Sequence, residues 1–451
     1  MYKPYIKPVA EALPDIKTPE PHISRLVLFA CRVVGRIYLF FALGIARVVL
    51  RNGRPLFDVF KRALDGKSRL ILAFRHPNGG EAQILMWFIL FKLRSKAWLA
   101  GVKFRRQPRI SFVYGYEVVR WGGGIARWVM PGLGAMPVHH ARVDSAGINR
   151  IFRTIAGGPY PLAIAPEGQV SYTTESVPRM EQGTVRIGFQ AAERLEQGGQ
   201  NIPVEILPVS IHFRYGSMGR RSLHKLIRKI ERCTGFDRRD GAGFSERLRR
   251  SRDYILARNE KRYGIVPEES KSFDERIEAV MDAALAKAEG LLGIPPRGED
   301  LFERLLHIRH ICWDKMIIPG AASLDGFTTL ERALLDLEAG EAWHASRHME
   351  LVDFIWYFRV PVPAEDAPLY IKIEYAQNLW DFANRTMGGA YSNRVLNVHP
   401  KRVLIQVGSL ISLTGRLTDY RENKKETIRK AMDDLEAAFM DCIGRAAEYQ
   451  I

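Results

Sequence analysis

From Arg69 to Phe213, short apolar runs alternate with helical patterns, and that alternation restricts the fold more than any other feature of the chain. The runs "RLILAFR", "ISFVYGYEVV", "GAMPVHH", "YPLAIAPEG" and "VEILPVSIHF" read as strands, several of them ending in loops that carry glycine or charge. Between them, "EAQILMWFILFKLR", "DSAGINRIFRTIAGG" and "QGTVRIGFQAAERLEQGG" have helical spacing. Asp144 or Ser145 serves as the cap of the second. This is an α/β layer. After about residue 217 the strand signals fade, and "LFERLLHIRHICWDKMII" and "ETIRKAMDDLEAAFMDCIGRAAEY" are helical in pattern. The expected division is an extended tail over 1–23, an amphipathic membrane-surface helix over 24–60, an α/β domain over 61–216 and a mainly helical C-terminal domain over 217–451.

At 451 residues with 47% hydrophobic content, the chain is long enough for two cores. Its four cysteines lie far apart with no CxxC spacing, which fits a reducing compartment and no zinc site. A net charge of +17 calls for a polyanionic neighbour: nucleic acid, an anionic membrane surface or acidic substrates.

The N-terminal region favours the membrane. In "SRLVLFACRVVGRIYLFFALGIARVVLR" the longest uncharged stretch is residues 37–46. That is too short to span hydrocarbon, where about 20 residues are needed. Arg32 and Arg36 interrupt any signal-peptide core. On one continuous helix, Arg25, Arg32, Arg36, Arg47 and Arg51 form a single stripe on an otherwise apolar cylinder, as suits a helix lying in the interface against lipid phosphates. The plainer reading is a core helix with a solvated edge.

Three loops and strands carry the chemistry. In "HPNGGE", His76 and Glu81 can face each other across a glycine turn, so that the carboxylate fixes the tautomer and raises the basicity of the other ring nitrogen. Taken alone, a histidine at a strand end is more often a structural residue than a catalytic one. "APEGQVS" places Glu167 and Gly168 in a second post-strand loop. "ILPVSI" places Pro208 inside a strand, where a missing N–H marks an edge or a site wall.

In this order and spacing these pieces resemble the phospholipid/glycerol acyltransferase family, the 1-acylglycerol-3-phosphate acyltransferases and their relatives. "HPNGGE" matches the His-x4-Asp block, "GAMPVHHAR" the Gly-rich basic block, "APEGQVS" the "FPEGTRS"-like block and "VEILPVSI" the apolar block around a proline, over residues 65–216 or so. The resemblance implies a mixed sheet flanked by helices, and an O-acyltransferase without metal or cofactor. Acyl-CoA or acyl carrier protein would be the thioester donor, and a glycerolipid or lysolipid the acceptor. It implies that His76 is the base, that Glu81 orients it, and that Glu167 and Gly168 place the acceptor head group, with His140, Arg142 and Pro208 also lining the substrate site. Anionic membrane lipids become the expected partners, on the cytoplasmic face of a membrane.

This chain departs from the family pattern in three places. Glu81 stands where the family has Asp, and Gln169 and Val170 replace Thr-Arg. The basic position falls near His140, with Arg142 two residues on. An arginine normally grips an acceptor phosphate through paired bonds, so Arg142, Arg153, Arg179 and Arg186 are the candidates for the displaced charge.

His344 and His348 have i,i+4 spacing with Glu350 nearby, but there is no third ligand and no HExxH, so no metal is expected. Residues 214–262 hold 16 Lys or Arg against 6 Asp or Glu, either a solvated pair of helices or a second contact with anionic headgroups or CoA phosphates. No helix-turn-helix, KH or RRM pattern supports nucleic acid. A catalytically silent, lipid-binding relative is the alternative to an enzyme.

Overall fold

The five apolar runs become strands, and three strands that periodicity does not flag complete an eight-stranded sheet. The structure is a computed structural model that describes residues 11–15, 20–115, 118–139, 144–236, 242–268, 270–298, 300–387 and 400–449. It separates into two units: residues 18–218 with 399–451, and residues 1–17 with 219–398.

In chain order, β1 (Leu13–Pro14) precedes α1 (Arg25–Phe41), β2 (Ile45–Leu50), α2 (Arg54–Leu64), β3 (Arg69–Phe74), α3 (Glu81–Phe91) and α4 (Leu93–Leu99). Then come β4 (Ser111–Gly115), α5 (Val118–Trp121), α6 (Gly123–Gly132), β5 (Met136–Val138), α7 (Ser145–Gly157), β6 (Leu162–Ile164), α8 (Gly183–Gln197) and β7 (Val204–Tyr215). The helical unit supplies α9 (Ser217–Thr234), α10 (Phe244–Tyr263), α11 (Phe273–Leu292), α12 (Leu301–Met316), β8 (Ile317–Ile318), α13 (Thr329–Phe358) and α14 (Leu369–Thr386). The chain then returns to the sheet with β9 (Lys401–Val407), β10 (Ile411–Ser412), α15 (Leu417–Glu422) and α16 (Lys424–Ala447).

The sheet runs β2-β9-β7-β3-β6-β4-β5, with β10 paired to the start of β7. It is mainly parallel; β9 and β10 run antiparallel to β7. One apolar cluster, built on α2, α3 and one side of the strands, covers one face. A second, from α7, α8, α15 and α16, covers the other. Burial on both faces explains why β7 reads as a nearly continuous apolar run.

Two expectations about domain boundaries are corrected. Residues 24–60 do not form one helix: α1 stops at Phe41, Gly44 turns the chain at φ +68°, and Ile45–Leu50 pairs in parallel with β9. An apolar run rich in β-branched residues fits a short strand as well as a helix, and pairing decides between them. Arg47 and Arg51 therefore leave the stripe. Nor is everything after 217 a separate helical domain. "KRVLIQV" is β9, an inner strand between β2 and β7, and α16 covers the sheet. The helical unit is thus inserted in the sequence between two neighbouring strands. The described part of the N-terminal tail is pinned too, since His22 N–H donates to Pro131 O at 2.9 Å and Leu13–Pro14 pairs in parallel with Ile317–Ile318.

Within the helical unit, paired arginine–carboxylate contacts join consecutive helices: Arg247 to Glu231, Arg276 to Glu260 and Arg304 to Glu289. In the basic segment 214–262, Arg214 is buried in the sheet unit and Arg247 and Arg262 are held by helical partners, so part of that charge is structural. Of the two expected caps of α7, Asp144 and Ser145, the N-cap is Asp144, which accepts Gly147 N–H at 2.8 Å.

Candidate functional site

After β3 the chain leaves through α3 along one face of the sheet, and after β6 it leaves through α8 along the other. β3 lies between β6 and β7, so the carboxyl ends of β3 and β6 flank the point where crossovers diverge, the usual ligand crevice of an open α/β sheet. The loops "HPNGGE" and "APEGQVS" both sit there.

His76 follows β3 after one residue, Arg75. Its Nδ1 and Glu81 Oε2 are 2.8 Å apart, and the same oxygen accepts Gly79 N–H at 2.8 Å. Gly79 has φ +91°, a region that favours glycine, and this lets the loop fold back on itself; Gly80 does not need it. Glu81 is fully buried in the first turn of α3, whereas the His76 ring remains 21% exposed. Among the described residues nothing bonds to Nε2, the other ring nitrogen. Burial works against the imidazolium, but the hydrogen bond and charge of Glu81, with the charge of Glu167, outweigh it and raise the His76 pKa above its ordinary value. Burial likewise opposes the Glu81 carboxylate, and the bond and charge of His76 and the loop N–H groups prevail, keeping it ionised.

Glu167 is corrected from its expected role. Its side chain is wholly buried: Oε1 pairs with Arg75 Nε and Oε2 accepts His76 N–H at 2.7 Å. Both oxygens are taken and neither reaches solvent, so Glu167 supports the loop rather than a head group. Arg75 carries this second layer. Fully buried, it also donates to the carbonyls of Thr173 and Ser176 at 2.7 Å each. Ser171 N–H donates to His76 O at 3.0 Å, so the two loops are stitched on both sides of His76. Gly168, at φ +71°, lies where a Cβ would collide with Glu181.

Pro208 is on neither an edge nor an end strand. It faces Ala73 of β3, and its missing N–H falls where β7 changes partner from β10 to β9; its carbonyl still accepts Gly408 N–H at 2.9 Å. His140 and Arg142 lie outside the described residues. Arg153, Arg179 and Arg186 are exposed, and Arg186 bonds Gln182 on its own helix.

Two residues near His76 belong to none of the sequence motifs. Arg75 was legible in principle, as a charge at the end of a buried strand. Lys401 was not: a buried residue of β9, it donates to Asn78 Oδ1 at 3.4 Å and stands 4.7 Å from the centroid of the Phe213 ring. Elsewhere, of the histidines at i,i+4 spacing, His348 shares a 2.8 Å hydrogen bond through Nδ1 with the Tyr263 hydroxyl, and Glu350 bonds Arg347. Among the described residues no helix is long and apolar enough to cross a membrane.

No family model and no curated protein matches the chain.

Proposed function

We propose that this protein is a membrane-surface O-acyltransferase, moving a fatty acyl group from acyl-CoA or acyl carrier protein to a hydroxyl of a glycerolipid or lysolipid acceptor. The observation that carries the reading is the 2.8 Å His76–Glu81 contact at a sheet switch point. The acceptor hydroxyl oxygen attacks the thioester carbonyl carbon as its proton passes to His76 Nε2. The C–S bond then breaks, and the imidazolium returns the proton to the departing thiolate. Glu81 stays ionised throughout, holding the tautomer and stabilising the imidazolium. No acyl-enzyme forms, and the balance needs no other reactant.

Membrane-surface action is supported by α1. Leu26, Phe29, Val33, Ile37 and Phe41 are each more than half exposed on it, more apolar surface than a solvated helix ordinarily carries. The helix also leads to the site, since Leu43, just after it, packs against Gly80 of the His76 loop.

The test is acyl transfer from labelled acyl-CoA or acyl carrier protein to a panel of lysolipids in vesicles. His76→Ala is expected to lose transfer while keeping its fold and its vesicle binding. Transfer above a few per cent of the parent rate removes His76 as the base. A parent that binds vesicles but transfers nothing is the silent relative.

A further inference from the structure

The stretch from Lys92 to Arg109, "KLRSKAWLAGVKFRRQPR", contains no acidic residue. Lys92, Arg94, Lys96, Lys103, Arg105 and Arg106 are all exposed. At the end of α4, between the two groups of cations, Trp98 and Leu99 are 63% and 72% exposed. An indole and a leucyl side chain in water at the tip of a short helix add nothing to the core that Leu93 and Ala97 build on its inner side.

We propose that α4 and the loop after it form a docking surface for the anionic face of a lipid bilayer, in which Trp98 and Leu99 enter the headgroup boundary and the surrounding cations meet lipid phosphates. Charge complementarity favours a bilayer, because cations flanking exposed Trp and Leu match its layering of anionic headgroups over hydrocarbon. Duplex nucleic acid would reward the cations and leave Leu99 in water. Among the described residues Lys96, Lys103 and Arg106 have no acidic partner, so their charge is available. The surface also adjoins α1: Trp87 packs against Gly35 of α1, and the Lys92 ammonium stands 5.6 Å from the centroid of the Trp87 ring. The inference rests on the membrane-surface half of the proposed function and not on acyl transfer.

The experiment is sedimentation of the full chain with two sets of vesicles, phosphatidylcholine alone and phosphatidylcholine with about one third phosphatidylglycerol. At roughly 1 kcal/mol per cation near an anionic surface, K96E/K103E/R106E should weaken binding to the mixed vesicles by at least tenfold and leave binding to the neutral ones unchanged. W98S/L99S should weaken binding to both. His76→Ala should bind as the parent does, and this separates failure here from failure of the catalytic reading. If the triple variant fails to fold, K96Q/K103Q/R106Q and a rise in salt on the parent take its place, with the same loss expected on the anionic vesicles. Undiminished binding by the charge variants overturns the proposal. So does a parent that binds a DNA duplex more tightly than anionic vesicles and loses that binding in the triple variant.

Discussion

Glu167 accepts the backbone N–H of His76 at 2.7 Å while its other oxygen pairs with the fully buried guanidinium of Arg75. His76 is therefore held at two levels, by Glu81 through its ring and by Glu167 through its main chain. Glu167→Gln keeps the size of the side chain but leaves a buried cation without its countercharge. It should lower stability by about 3–5 kcal/mol, the usual cost of removing one partner of a buried pair. In the folded fraction kcat should fall while KM for the acceptor stays the same. A raised acceptor KM with an unchanged melting temperature would instead mean that Glu167 touches substrate.

The pH profile should report the His76–Glu81 pair. A base works only when neutral, and this imidazole holds its proton above its ordinary value of about 6.5. The acidic limb of kcat/KM should therefore have its midpoint above that value, with the rate rising as pH rises through it. Glu81→Gln removes the charge that stabilises the imidazolium, so the midpoint should move to lower pH and the rate should fall by roughly two to four powers of ten. Glu81→Asp, with a shorter reach, should lie between Gln and the parent. A midpoint that does not move in Glu81→Gln would reduce the carboxylate to a turn residue bound to Gly79.

The strands β3 to β7 and the His76–Glu81 contact were legible because each depends on local pattern: an apolar run, then a glycine turn that brings two nearby side chains together. β2 and β9 were not, because a short run such as "IARVVL" or "KRVLIQV" acquires its identity only from a partner distant in the chain. The part of Glu167 was hidden for the same reason, since its burial depends on Arg75, and a carboxylate beside glycine looks the same in sequence whether it faces solvent or a guanidinium.

The arginine stripe separates into two kinds of residue. Both are exposed, but Arg36 donates to Ile45 O at 2.8 Å and to Ala46 O at 2.6 Å, tying the end of α1 to the start of β2, whereas Arg32 makes no such bond among the described residues. Arg36→Gln should cost about 1 kcal/mol, discounted for its contact with water, and Arg32→Gln close to nothing. Chemical denaturation of the two variants checks this. Equal losses would mean that the junction does not depend on Arg36.

Tyr215 pairs with Lys401, so the ends that border the helical unit meet across the antiparallel β7–β9 ladder. Removing 217–399 and joining Gly216 to Pro400 through Asn-Gly should close that ladder as a hairpin with a four-residue loop between Tyr215 and Lys401, a common hairpin length. A chain of residues 18–216 and 400–451 made this way should show one cooperative thermal transition and keep the His76 loop. A chain ending at residue 216 should aggregate instead. It would lack β9, leaving residues 210–215 of β7 unpaired and, among the described residues, β2 without a sheet neighbour, and it would lack α16 over the sheet. Circular dichroism and light scattering on the two proteins distinguish the outcomes. A well-folded 1–216 fragment beside a molten hairpin-closed chain would show that β9 is dispensable to the unit that holds His76.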